Sequence, residues 1–146
     1  VSLEELLKKS CVTLLIPIEL RGQELIIRAE GDFYGDPAWT SEAVGNMVKN
    51  CMEHTPSGGH IRIVTKDNPL YLLIKITDSG SGFTKQDLPH IFERFYRGQN
   101  ADTDSVGIGL ALAKRIIIAQ NGTIRAYNHK KDGGAVFEIR MYKGAV

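Results

Sequence analysis

Three groups of residues in this chain combine chemistry-bearing side chains with a spacing that can bring them to one point. Asn46 and Asn50 lie one helical turn apart in the run PAWTSEAVGNMVKNCMEH, and at ~100° per residue they stand ~40° from each other. Val44, Met47, Val48, Cys51 and Met52 share a separate, apolar arc of the same helix. Two stacked amides present carbonyl oxygens toward one point. That donor type suits Mg²⁺, which keeps several waters and also binds substrate phosphates. The bland alternative is a solvated polar face.

Asp78 closes the strand-like run YLLIKITD. Leu72, Ile74 and Ile76 have its parity, so a period of two points its carboxylate to the apolar side. A buried carboxylate needs hydrogen-bond donors, and the exocyclic amine of adenine is a suitable one. The alternative is that Asp78 caps the turn that follows it through the local backbone.

The third group is a pair of glycine clusters, Asp78-Ser79-Gly80-Ser81-Gly82 and Gly107-Ile108-Gly109, the second running into Leu110. Glycine lets backbone approach a ligand closely, and backbone N–H groups at a helix start form a cradle for phosphate. A lone GxG is equally compatible with turn geometry. Between the clusters lie the block IFERFYR (91–97) and a polar stretch from Gly98 to Val106. Together they suggest a pocket under a lid for a phosphate-bearing nucleotide. Phe92, Phe95 and Tyr96 would anchor the lid, and Arg97 or Arg94 could meet phosphate. Lys114 and Arg115 lie more than a turn into the following helix and read as solvated charges.

The elements that position these groups follow from periodicity. Ser2 reads as the N-cap of a first helix with Leu3, Leu6, Leu7, Ser10, Cys11 and Leu14 on one face, and Pro17 should end or kink it. A strand is expected over Glu24 to Ala29, then a turn. Asp36-Pro37 starts the second helix, to about His54. Strands follow at Ile61 to Lys66 and Leu70 to Asp78. Thr84 should cap a short helix from Lys85 that Pro89 breaks. A third long helix runs from about Gly107 to Gln120, stopped by Asn121-Gly122. Strands at Thr123 to Asn128 and Ala135 to Met141 flank a hairpin turn, and alternation in the last implies one buried face. The expected fold class is an α/β (α+β) two-layer sandwich. Three long helices cover one face of a mixed, mostly antiparallel sheet of about five strands.

Composition excludes several classes. The chain has 146 residues, 42% hydrophobic and 24% charged, which fits one ordinary globular domain. A net charge of +1 lacks the basic excess expected of a nucleic-acid binder. No apolar run approaches the ~20 residues that span a bilayer, and no signal peptide is visible. The chain opens without methionine, which suggests a fragment of something longer. Cys11 and Cys51 read as free buried thiols, and the four histidines show no metal-ligand spacing.

The order of these elements resembles the catalytic, ATP-binding domain of the sensor histidine kinases of two-component signalling. Their superfamily also holds gyrase-type topoisomerases, heat-shock chaperones and mismatch-repair ATPases. Residues 46–59 (NMVKNCMEHTPSGG) are similar to the N box and residues 78–83 (DSGSGF) to the first glycine box. Residues 91–97 (IFERFYR) are similar to the F box and 107–114 (GIGLALAK) to the second glycine box.

The resemblance implies ATP and Mg²⁺ as ligands. Asn50 would hold the metal with Asn46 beside it, and Asp78 would accept the adenine amine in a pocket shaped by Gly80 and Gly82. Residues 98–106 would be the ATP lid. Gly107, Gly109 and Leu110 would place amides at the phosphates, with Arg97 nearby. The implied partners are the kinase's own dimerisation and phospho-acceptor domain, which this chain lacks, and a response regulator. The isolated domain would be monomeric, within a homodimeric parent anchored in the membrane with this domain in the cytoplasm.

Two positions depart from the pattern or specify it. Many members have a phosphate-binding Lys where this chain has Glu53. The hydrolysing relatives have a general-base Glu where this chain has Asn46, an amide that cannot deprotonate water. Transfer to a protein histidine is therefore expected. The alternatives are an ATPase or serine-directed anti-sigma-type kinase of the same fold, or a catalytically degenerate nucleotide-binding module.

Overall fold

The computed structural model describes residues 1–94 and 109–144. Its strands are β1 (Glu24–Arg28), β2 (His60–Asp67), β3 (Tyr71–Asp78), β4 (Gly122–Asn128) and β5 (Ala135–Tyr142). They form one sheet in the order β1-β2-β3-β5-β4. β1 and β2 are parallel, and every other neighbouring pair is antiparallel. The parallel pair needs a crossover, which the helix between them supplies, whereas tight turns suffice for the antiparallel hairpins.

The helices are α1 (Leu3–Ser10), α2 (Leu15–Leu20), α3 (Pro37–His54) and α4 (Gly109–Ala119). The core lies between them and one face of the sheet. Ile61, Ile63, Ile74, Ile76, Phe137 and Ile139 from the strands meet Leu7, Val44, Met47, Val48, Cys51 and Ile117 from the helices, all fully buried. The α3 arc read from the sequence is thus the buried arc. Asp36 caps α3 by accepting from Trp39 N–H at 3.0 Å, with Pro37 at the first helical position. Asn121, with φ 63°, ends α4 in the left-handed conformation that asparagine tolerates.

Three local expectations need correction. The first helix is in pieces: α1 stops at Ser10, a 3₁₀ turn spans Val12–Leu14, and α2 follows. Pro17 neither ends nor breaks it, because it sits in the first turn of α2, where a missing N–H costs no helical hydrogen bond. At Thr84 the cap forms, with its hydroxyl accepting from Asp87 N–H at 3.0 Å. It closes a turn rather than an α-helix, and Pro89 falls inside a 3₁₀ turn, Leu88–His90. Finally, β5 is buried on both faces over most of its length. It is an inner strand, and Glu138 on its outward face is covered by Arg125, Arg140 and Tyr127.

Candidate functional site

The end of β3 is the best-defined part of the site. Strand parity carries Asp78 to the helix side of the sheet, where it is 7% exposed. Its two oxygens have different surroundings. Oδ1 accepts from Gly80 N–H at 2.9 Å and from Ala135 N–H at 3.1 Å. Oδ2 is equally buried and has no hydrogen-bond partner among the described residues. The turn-capping alternative therefore holds for Oδ1, and Oδ2 is left as an acceptor for something else. A buried carboxyl oxygen without a donor is costly, and an exocyclic amine such as that of adenine would satisfy it. The residues present fit that group.

The glycines around Asp78 are forced by close approach. A Cβ on Gly80 would run into the carbonyl oxygen of His54, at the C-terminal end of α3. Gly82 has φ 81°, and a Cβ there would collide with Gly133 O and lie 2.6 Å from Asn128 Oδ1. Sequence reasoning missed Ala135, whose N–H reaches Asp78, because the contact spans 57 positions. It also missed Asn128, which clamps Phe83 by accepting from its N–H at 2.7 Å and donating to its carbonyl at 2.8 Å. No local signal marks either. Cys51, one turn from the end of α3, places its thiol against Asp78. Burial first, then the carboxylate's negative charge, pushes that thiol well above the ordinary range.

Asn46 and Asn50 are half-buried on the flank of α3, away from its apolar arc, as is Glu53. Glu53 lies seven residues after Asn46 and so falls on the same stripe of the helix. The packing of α4 against α3 brings Gly109 to Asn46, where an added Cβ would lie 3.6 Å from Asn46 Cγ. The structure thus joins the asparagine stripe to the second glycine cluster. Leu110 is half-buried against the core. Two amide oxygens and a carboxylate make a set of hard oxygen donors that fits Mg²⁺. Arg97, Gly107 and the expected lid, 98–106, lie outside the described residues, as do Phe95 and Tyr96.

Phe92 is a core anchor. Its ring meets Phe137 edge-on at 6.2 Å, and Phe137 meets Phe83 at 5.6 Å. Lys114, expected to be a plain solvated charge, is half-buried with its Nζ 5.4 Å from the Phe92 ring centroid. A groove of about 450 Å³ lies beside this contact, lined by Phe92, Leu112, Lys114, Arg115 and Ile118 among others. It shares no residue with the Asp78 loop or the asparagine stripe.

A buried carboxylate at the end of β3 and an amide stripe on the adjoining helix α3 are the features to set beside known proteins. Residues 35–144 match the family described as histidine kinase-, DNA gyrase B- and HSP90-like ATPase. The chain belongs to this family. Among curated proteins it is 34% identical over 105 residues to the sensor protein SphS of Synechococcus elongatus, covering 66% of this chain and 25% of that protein. It is 32% identical over 114 residues to the sensor histidine kinase YvrG of Bacillus subtilis, covering 77% and 20%. The chain thus spans about a quarter or less of these relatives. Among solved structures, a mycobacterial sensor histidine kinase, MprB, superposes with a TM-score of 0.84 at 24% identity, covering 97% of this chain and 96% of that one. The catalytic domain of histidine kinase ThkA gives 0.82 at 23% identity, covering 97% and 94%. The fold is that of histidine kinase catalytic domains. No helix among the described residues is long and apolar enough to cross a membrane.

Proposed function

We propose that this chain is the single catalytic domain of a sensor histidine kinase. It binds Mg²⁺-ATP and donates the γ-phosphoryl group to a histidine on a dimerisation domain outside this sequence. The observation that carries the reading is the buried Oδ2 of Asp78, without a hydrogen-bond partner among the described residues, beside glycine-lined backbone. In this reading Oδ2 accepts from the adenine amine while Oδ1 stays on its two backbone donors. Asn50 holds Mg²⁺ through its amide oxygen, with Asn46 beside it. Gly107, Gly109, Leu110 and Arg97 serve the phosphates. Magnesium, when bound, supplies charge neutralisation on the phosphate oxygens.

The residues of this chain orient the nucleotide and exclude competing chemistry. An amide at Asn46 leaves no base there to activate water, which favours transfer over hydrolysis. Transfer is then a matter of positioning and electrostatics. One relative in fold, ThkA, has been solved in complex with the response regulator TrrA, which supports a response regulator as the downstream partner here. The parent is proposed to be a homodimer anchored in the membrane. Glu53 supports one competing reading, a nucleotide-binding module without transfer, because a carboxylate on the asparagine stripe repels phosphate unless a cation intervenes.

The test is incubation with labelled ATP, Mg²⁺ and the cognate dimerisation domain. Label on a histidine of that domain, lost in Asn50→Ala, is the expected result. Tight ATP binding with no transfer under any condition overturns the kinase reading in favour of the module.

A further inference from the structure

Gln23, between α2 and β1, joins three elements. Its backbone N–H donates to Ile18 O in α2 at 3.1 Å. Its side chain is buried, and Nε2 donates to Met52 O at 2.9 Å and to Thr55 O at 2.5 Å. These carbonyls belong to the end of α3, where the helix itself provides no donors. Two carbonyl acceptors fix which end of the amide is nitrogen. Oε1 is consequently buried with no donor among the described residues.

The turn that Gln23 holds is the one that touches the base-recognition loop. The carbonyl of His54 is packed against Gly80, closely enough to exclude a Cβ. Gly80 N–H is one of the two donors to Asp78 Oδ1. Thr55 continues the same connection, since its hydroxyl donates to Cys51 O at 2.7 Å, and the Cys51 thiol lies against Asp78. A shift in the last turn of α3 would therefore move Gly80 and Asp78 together.

We infer that Gln23 is a positioning residue for recognition of the adenine base, acting through the end of α3 on Gly80 and Asp78. The inference rests on Asp78 meeting the base, as proposed above. A cap that only stabilised the fold would raise the melting temperature without affecting which base is bound. A positioning residue must affect the choice between ATP and inosine triphosphate, which has an oxygen where adenine has its amine.

The experiment is calorimetric titration of ATP and inosine triphosphate into the wild type, Gln23→Met and Asp78→Asn, well below each melting temperature. The preference for ATP should fall about tenfold in Gln23→Met, the effect of one net hydrogen bond on an equilibrium constant. An unchanged preference with a lowered melting temperature overturns the inference. If Asp78→Asn also leaves the preference intact, the adenine assignment itself fails; if only Gln23→Met does, the failure belongs to Gln23 alone.

Should Gln23→Met not fold, the wild type provides a second measurement. Coupling is reciprocal, so ATP must slow hydrogen exchange at Gln23 Nε2 by several-fold more than saturating inosine triphosphate does. Equal protection by the two nucleotides overturns the inference.

Discussion

The two ends of the functional stretch of α3 are built differently. Toward its C-terminus the helix abuts a closed loop in which Asp78 is 7% exposed, one oxygen has two backbone donors, and glycines are dictated by collision. One turn and more toward the N-terminus, Asn46 and Asn50 are half-buried, and among the described residues a Cβ on Gly109 would meet only Asn46, at ordinary contact distance. The first region is preorganised by tertiary contacts. The second presents half-buried amide oxygens and takes its chemistry from side-chain type. If that contrast is right, changes at the Asp78 loop should affect the fold and base binding together, while changes on the asparagine stripe should affect chemistry alone.

The largest effect should come from Asn50→Ala, with phosphoryl transfer to the acceptor domain falling on the order of 100-fold or more, as for removal of one preorganised polar group. Its melting temperature should barely move; a large drop would erase the contrast. Asp78→Asn should weaken ATP binding roughly 10- to 100-fold, the range for a hydrogen bond to a charged group. Retained affinity in a titration would remove Asp78 from the base site.

Gly82→Ala should destabilise the domain by about 1–3 kcal/mol in urea unfolding, since φ 81° and the carbonyl of Gly133 both resist a side chain. Gly109→Ala should be within roughly 0.5 kcal/mol of the wild type in the same assay, because among the described residues the added Cβ meets only Asn46, at 3.6 Å. Equal losses at the two glycines would show that the surroundings of Gly109 are as closed as the Asp78 loop.

The thiols sharpen the same point through pH. Burial raises Cys11 to about 11, and burial together with Asp78 raises Cys51 well above the ordinary range. The folded chain thus keeps protons that the unfolded chain loses from about pH 9, so stability should fall as pH rises from about 9 to 11. Iodoacetamide should modify both cysteines only on unfolding. Rapid labelling of Cys51 in the folded state would show that the Asp78 pocket is open.

Much of the arrangement was legible in the sequence where chemistry is local. The buried arc of α3, the inward parity of Asp78, the Asp36-Pro37 helix start and the Asn121 stop are read within one turn or one strand, and each is found. The break in the first helix was not legible. Pro17 marks a helix start as readily as a stop, and which applies depends on where Cys11 and Leu14 find the core.

By itself the sequence determined which residues have the right chemistry: amide oxygens at Asn46 and Asn50, a carboxylate at Asp78, glycines where backbone must pass closely. Only the tertiary structure decided how the Asp78 carboxylate divides its work. Oδ1 is taken by Gly80 and by Ala135, the latter from a strand far along the chain, and Oδ2 is left buried with no donor among the described residues. The reason is physical: a residue's type and parity are local, but whether a buried oxygen finds a donor depends on contacts that no short window of sequence contains.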